Sequence, residues 1–208
     1  MSNLKIEFLL NSNDKIVIDL DESLDAIDCC YRLPIYLVHT NKKIIISKGT
    51  IYFDIDRLRC FLKKALKGEF KLHPSITENI GYIHNEYHQD ESKFMKYKIG
   101  GILTWAGYKY RLWEAFVDDK RFIIWMYNDH NDDIIFEVTP FYPYLFCEPN
   151  DEENYIPYYE WIKDYKPYFV AKISQGTAQK WLDKATDIIE QIDSNVEKWK
   201  SEKVQDMS

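Results

Sequence analysis

Glycine is scarce in this chain, at seven among 208 residues, and none stands in a GxSxG, GxGxxG or phosphate-cradling arrangement. The sequence therefore lacks the loops on which nucleophile elbows, dinucleotide sites and P-loops depend. Cysteine is sparser still. Four occur, at 29, 30, 60 and 147, with no CxxC spacing for zinc, and the adjacent Cys29 and Cys30 would make a strained disulfide. Reduced thiols in a cytoplasm account for them, and none has a His close in sequence to activate it. No apolar run reaches the roughly 18 residues that a membrane helix needs. The opening Met1-Ser2-Asn3-Leu4 lacks the charged-then-apolar layout of a signal peptide. These absences predict a cytoplasmic protein with no cofactor and no membrane partner.

What the chain does have is aromatic side chains, 16% of residues, including sixteen Tyr and six Trp. Hydrophobic residues at 46% and charged residues at 29% describe an ordinary folded protein, so many of these rings must fill a core. Charge is unevenly placed. Residues 1–110 carry 16 basic and 14 acidic side chains, whereas 111–165 carry 4 and 13, and the net charge of the whole is −7. A negative field of that kind repels phosphate backbones and attracts basic partners, which disfavours nucleic acid.

Alternating and β-branched runs predict strands at Lys5–Leu10, Lys15–Leu20, Leu33–His39 and Lys43–Ser47, with a short strand at Thr50–Phe53. Leu58, Phe61, Leu62, Ala65 and Leu66 form one helical stripe, capped by Asp54 or Asp56 and closed at Gly68. Residues 69–96 are polar and weakly patterned and read as a long connection. Tyr108–Val117, Arg121–Tyr127 and Ile134–Thr139 are joined by short turns, as an antiparallel meander requires. In the last of these one face is expected to be buried and the other mixed. After a proline-punctuated segment, with a short helix at Pro157–Asp164, comes a strand at Tyr168–Ile173. A long amphipathic helix follows, capped by Ser174 or Thr177, with the stripe Ala178, Trp181, Leu182, Ala185, Ile188, Ile189, Ile192, Val196 and Trp199. The pattern is that of a single α+β domain over 1–208, with antiparallel sheets of meander and hairpin strands and two main amphipathic helices. A β-β-β-α order recurs in residues 1–90 and 97–200, as if duplicated, with residues 140–167 inserted in the second copy.

Chemistry-bearing constellations are few. His84-Asn85-Glu86-Tyr87-His88 carries three metal-ligating types, but in HxExH rather than HExxH order and inside the polar connection, which favours a solvated loop. Asn128–Asp133 has the acidity of a calcium loop without its Gly and Glu, and reads as a hairpin turn. Asp54 and Asp56 could pose as a carboxylate pair, though helix capping explains them. The remaining candidate is a surface. Residues 111–165 hold 15 of the 33 aromatics together with the excess of acid.

Two readings follow. The first is a non-enzymatic module that captures a basic protein through Tyr142, Tyr144, Asp151, Glu152, Glu153, Tyr158, Tyr159, Glu160, Trp161 and Asp164, the rings as anchors and the carboxylates as steering groups. In composition and layout such a chain resembles the small acidic immunity proteins that bacteria make against their own toxins. The second is a small metal-dependent hydrolase centred on His84, Glu86 and His88, helped by His130.

Overall fold

The computed structural model describes residues 4–93, 96–99, 102–117, 120–144 and 155–206. Two antiparallel four-stranded sheets dominate it, in an α+β fold. The first runs in chain order, β1 (Leu4–Leu9), β2 (Lys15–Leu20), β3 (Ile35–His39) and β4 (Lys42–Ser47), and leads into α1 (Ile51–Leu66). After α2 (Ile80–Gln89) and a hairpin of β5 (Lys96–Ile99) and β6 (Ile102–Trp105), the order repeats. A second meander, β7 (Arg111–Val117), β8 (Lys120–Asn128), β9 (Ile134–Phe141) and β10 (Phe169–Ile173), leads into α4 (Gln175–Asp206). A short α3 (Tyr158–Trp161) precedes β10. The repeated unit has four strands, one more than the sequence pattern suggests.

The first sheet turns Phe8, Ile16, Ile18, Ile35 and Leu37 inward by strand alternation. Ile51, Ile55, Leu58, Leu62 and Ala65 are buried along α1. The sequence expects a strand at Thr50–Phe53, but the helix begins at Ile51 with Thr50 as N-cap. Its β-branched and aromatic residues imitate a strand, yet Ile51 lies one turn before Ile55 and extends the same apolar stripe. Asp54 is consequently no cap. It points inward and accepts a hydrogen bond from Ser47 Oγ at 2.7 Å. At the other end Gly68 takes φ +69°, and Gly68 and Glu69 donate back to Ala65 and Lys64, the closure that the sequence predicts.

α4 ties the two sheets together. Trp181 meets Phe8 of β1 at 5.5 Å and Phe136 of β9 at 6.4 Å, and its indole N–H donates to the Leu9 carbonyl at 3.1 Å. Ala178, Ala185, Ile188, Ile189 and Ile192 continue its buried stripe, and Ser174 Oγ caps Thr177 N at 3.1 Å. Near its end the buried Asn195 donates to the carbonyls of Leu24 and Ile27 and so anchors the β2–β3 connection. One hydrophobic cluster runs through both sheets, α1 and α4. Among the described residues no helix is long and apolar enough to cross a membrane.

The second sheet departs from the expected half-buried strand. Ile134, Phe136 and Val138 of β9 face the α1–α4 layer, as alternation demands. The opposite side, with Glu137, Thr139 and Phe141, is buried too. α2 covers it. The sequence reads residues 69–96 as a long connection because they are polar and weakly patterned, but Ile80–Gln89 form a helix in which the polar Asn79, as N-cap, His84 and Asn85 have a place. Those groups point into the sheet beside Ile80, Ile83 and Tyr87, so the buried face of this helix mixes polar and apolar side chains.

Candidate functional site

The covered face of the second sheet carries a buried polar assembly that starts at the N-cap of α2. Asn79 Oδ1 accepts from the N–H groups of Gly81 and Tyr82 at 3.0 and 3.1 Å, which satisfies donors that a helix start leaves orphaned. Its amide nitrogen donates to the Glu137 carboxylate, which also accepts from Tyr127 Oη at 2.8 Å. Burial pushes Glu137 up to about 7 despite these two donors. Beside it Trp125 Nε1 donates to Thr139 Oγ1 at 2.8 Å. α2 lies so close to β9 that a Cβ on Gly81 would stand 2.1 Å from Tyr165 Oη and 2.5 Å from Thr139 Cβ. One turn on, Asn85 donates to the Pro140 carbonyl at 3.2 Å and accepts from Tyr142 N at 2.9 Å.

His84 is 1% exposed on this helix, enclosed by Trp105, Tyr108, Trp125 and Phe141. The solvated-loop reading fails here because the residues around His84 are rings from the sheet and from the 3-10 turn at Ala106–Tyr110. His84 and His88 bring their Nε2 atoms to 3.2 Å, and Tyr108 Oη lies 3.0 Å from His88 Nε2. Burial above all, then the neighbouring imidazole, holds His84 well below the usual histidine range. His88 is lowered by burial and Arg121. Tyr108 is pushed up to about 12, mainly by burial, so this cluster is neutral near pH 7. Glu86 does not join it. Two positions along a helix turn a side chain to another face, and Glu86 accepts from Tyr158 Oη at 2.7 Å. His130 is exposed in the β8–β9 turn, where Asp129 Oδ1 accepts from the N–H groups of Asn131 and Asp133, a turn built as the sequence suggests. Among the described residues no three or more His, Cys, Asp or Glu side chains are grouped to hold a metal ion.

The Tyr158–Glu86 bond begins a second layer on α2. Tyr142, Tyr158, Trp161 and Tyr165 pack ring on ring, with centroids 5.3 Å apart for Tyr142–Tyr158, 5.5 Å for Tyr142–Trp161 and 5.6 Å for Trp161–Tyr165. Tyr82 of α2 meets Tyr165 at 5.9 Å. Tyr142 is buried, and its hydroxyl donates to the Ile156 carbonyl at 2.9 Å. Tyr144 packs on Tyr155 at 5.2 Å. These rings form a mount that fixes α3 to α2. On its outside stand Tyr159, 63% exposed, Tyr155 at 50% and Ile156 at 46%, with Glu160 and Asp164 exposed beside them. Of the ten residues expected to meet a partner, Asp151, Glu152 and Glu153 lie outside the described residues. Tyr142, Tyr158 and Trp161 hold the mount, Tyr144 packs beside it, and Tyr159, Glu160 and Asp164 face outward. Tyr155 and Ile156 join the outward set. Their position directly before Pro157 is the one sequence cue to them, because a proline that starts a short helix leaves the preceding residues extended.

Neither the family models, nor the curated proteins, nor the solved structures contain a match to this chain.

Proposed function

We propose that the protein is a non-enzymatic binding module that captures a basic protein through the outer face of α3 and the acidic stretch leading into it. The observation that carries this reading is the exposure of Tyr155, Ile156 and Tyr159 on a mount in which the Tyr142 and Tyr158 hydroxyls are bonded internally. Large rings held in place give contact area at low ordering cost. Residues 140–165 carry six acidic side chains and one basic, which selects a basic partner and speeds its approach. An inhibitor of the immunity type, acting in the cytoplasm on a basic toxin, has this chemistry. The hydrolase reading is less well supported, because Glu86 is turned to Tyr158 and away from the two imidazoles.

The test is capture of basic proteins by the full-length chain at low salt, identified by mass spectrometry and repeated with Tyr159→Ala and Ile156→Ala together. The double variant should keep its melting temperature within about 2 °C, since exposed side chains contribute little to stability. It should weaken binding of the captured protein by 2–4 kcal/mol, roughly 30- to 1,000-fold, mostly through faster dissociation. Equal capture by wild type and variant would remove the reading.

A further inference from the structure

A concave feature lies apart from this face, where the end of β4 meets the start of β7. It is a cleft of about 390 Å³ with Lys48, Arg57 and Arg111 in its wall. Its two acidic residues are already engaged. Asp54 is buried and takes the Ser47 hydroxyl at 2.7 Å and the N–H of Gly49. That approach is close enough for a Cβ on Gly49 to stand 2.6 Å from the carboxylate, so a larger residue there would displace Asp54. Glu114 accepts from Arg111 at 3.0 Å through one oxygen and from Arg121 through the other. Arg57, by contrast, donates to the Arg111 carbonyl at 2.7 Å, and among the described residues no carboxylate lies within 4.0 Å of it or of Lys48. Arg111 is thus paired with Glu114 and lies over the Tyr108 ring, which leaves Arg57 and Lys48 as the cations at this cleft with no carboxylate partner among the described residues, in a protein whose net charge is −7.

We infer that this cleft binds the phosphate group of a small molecule, with Arg57 as a planar fork, Lys48 as a point charge and Arg111, held by Glu114, as a fixed positive edge. Guanidinium forks match the oxygens of a phosphate two at a time, and a lysine adds charge without fixing direction. The volume falls in the range of small-molecule sites, roughly 300–1,000 Å³. Fixation of Gly49 and Ser47 by Asp54 keeps the Lys48 rim in place. The inference is independent of the docking face on α3.

Inorganic phosphate and glycerol phosphate, each titrated into the full-length protein by calorimetry against sodium chloride of equal ionic strength, provide the test. Saturable binding is expected for at least one of them, with Arg57→Gln weakening it roughly tenfold or more and Lys48→Gln less. Tighter binding of glycerol phosphate identifies a phosphate ester as the ligand, and equal binding identifies the free ion. Arg57→Gln should melt with the wild type because the side chain is exposed. If it does not, Lys48→Glu is the second variant, with the same loss expected. No saturable heat with either compound, or equal heat from a folded variant, overturns the inference.

Discussion

Glu137 shows how one side chain can work against the fold it belongs to. Its carboxyl stays protonated up to about pH 7 in the folded protein, whereas in the unfolded chain it ionises in the ordinary range near 4.5. The folded state therefore holds more protons between those values, and this residue's contribution makes stability fall as pH rises through that window. At about 1.4 kcal/mol per pH unit the fall is at most on the order of 3 kcal/mol. His84 has the opposite sign. Its lowered value means stability is lost as pH drops below about 6.5, so a raw pH profile mixes the two. The difference between wild type and Glu137→Gln cancels the histidines. Chemical denaturation should show that difference moving in favour of the variant by about 2–3 kcal/mol between pH 5 and pH 8. A difference that stays constant with pH would show that Glu137 is ionised inside the fold.

At the scale of elements, α2 decides what was legible in the sequence. α4 and α1 announce themselves because their inward residues are apolar at helical spacing, down to Gly68 and Ser174 at their ends. The strands of both meanders were legible for the same reason, through alternation and turn residues. α2 was not, because Asn79, His84 and Asn85 face inward and meet partners that only the folded sheet supplies, namely Glu137, Trp125 and Pro140. The site suffered likewise. Tyr159 reads as a surface ring in sequence and is one, whereas Tyr142 reads the same and is buried. Gly81 measures how tightly α2 is seated. In a helix Gly→Ala ordinarily stabilises by roughly 0.5–1 kcal/mol. Here the added carbon meets Thr139 and Tyr165, so Gly81→Ala should instead destabilise by about 1–3 kcal/mol, read as a lower denaturant midpoint. A gain in stability would mean the helix can lift away from β9 freely.

For the molecule as a whole, α4 is the element on which both sheets depend. Ending the chain before Gly176 removes Trp181, Ile188, Ile189 and Ile192 from the core, at roughly 1.5–3 kcal/mol each, about 6–12 kcal/mol together. That equals the whole stability of a typical domain, about 5–15 kcal/mol. The shortened chain should be insoluble or melt without a cooperative transition by circular dichroism, and a sharp melt would make α4 an appendage. The double cover of β9 has a further consequence, which concerns time. The strand is hydrogen-bonded along both edges, to β8 and β10, and roofed on both faces, by α4 and α2. No partial opening frees its amides without dismantling a neighbour on every side, so they open only when everything opens. Edge strands such as β1 are under no such constraint. The mount that carries Tyr159 sits on α2, through Glu86 and Tyr82, and α2 is in turn bonded to this slowest-opening strand through Glu137 and Pro140.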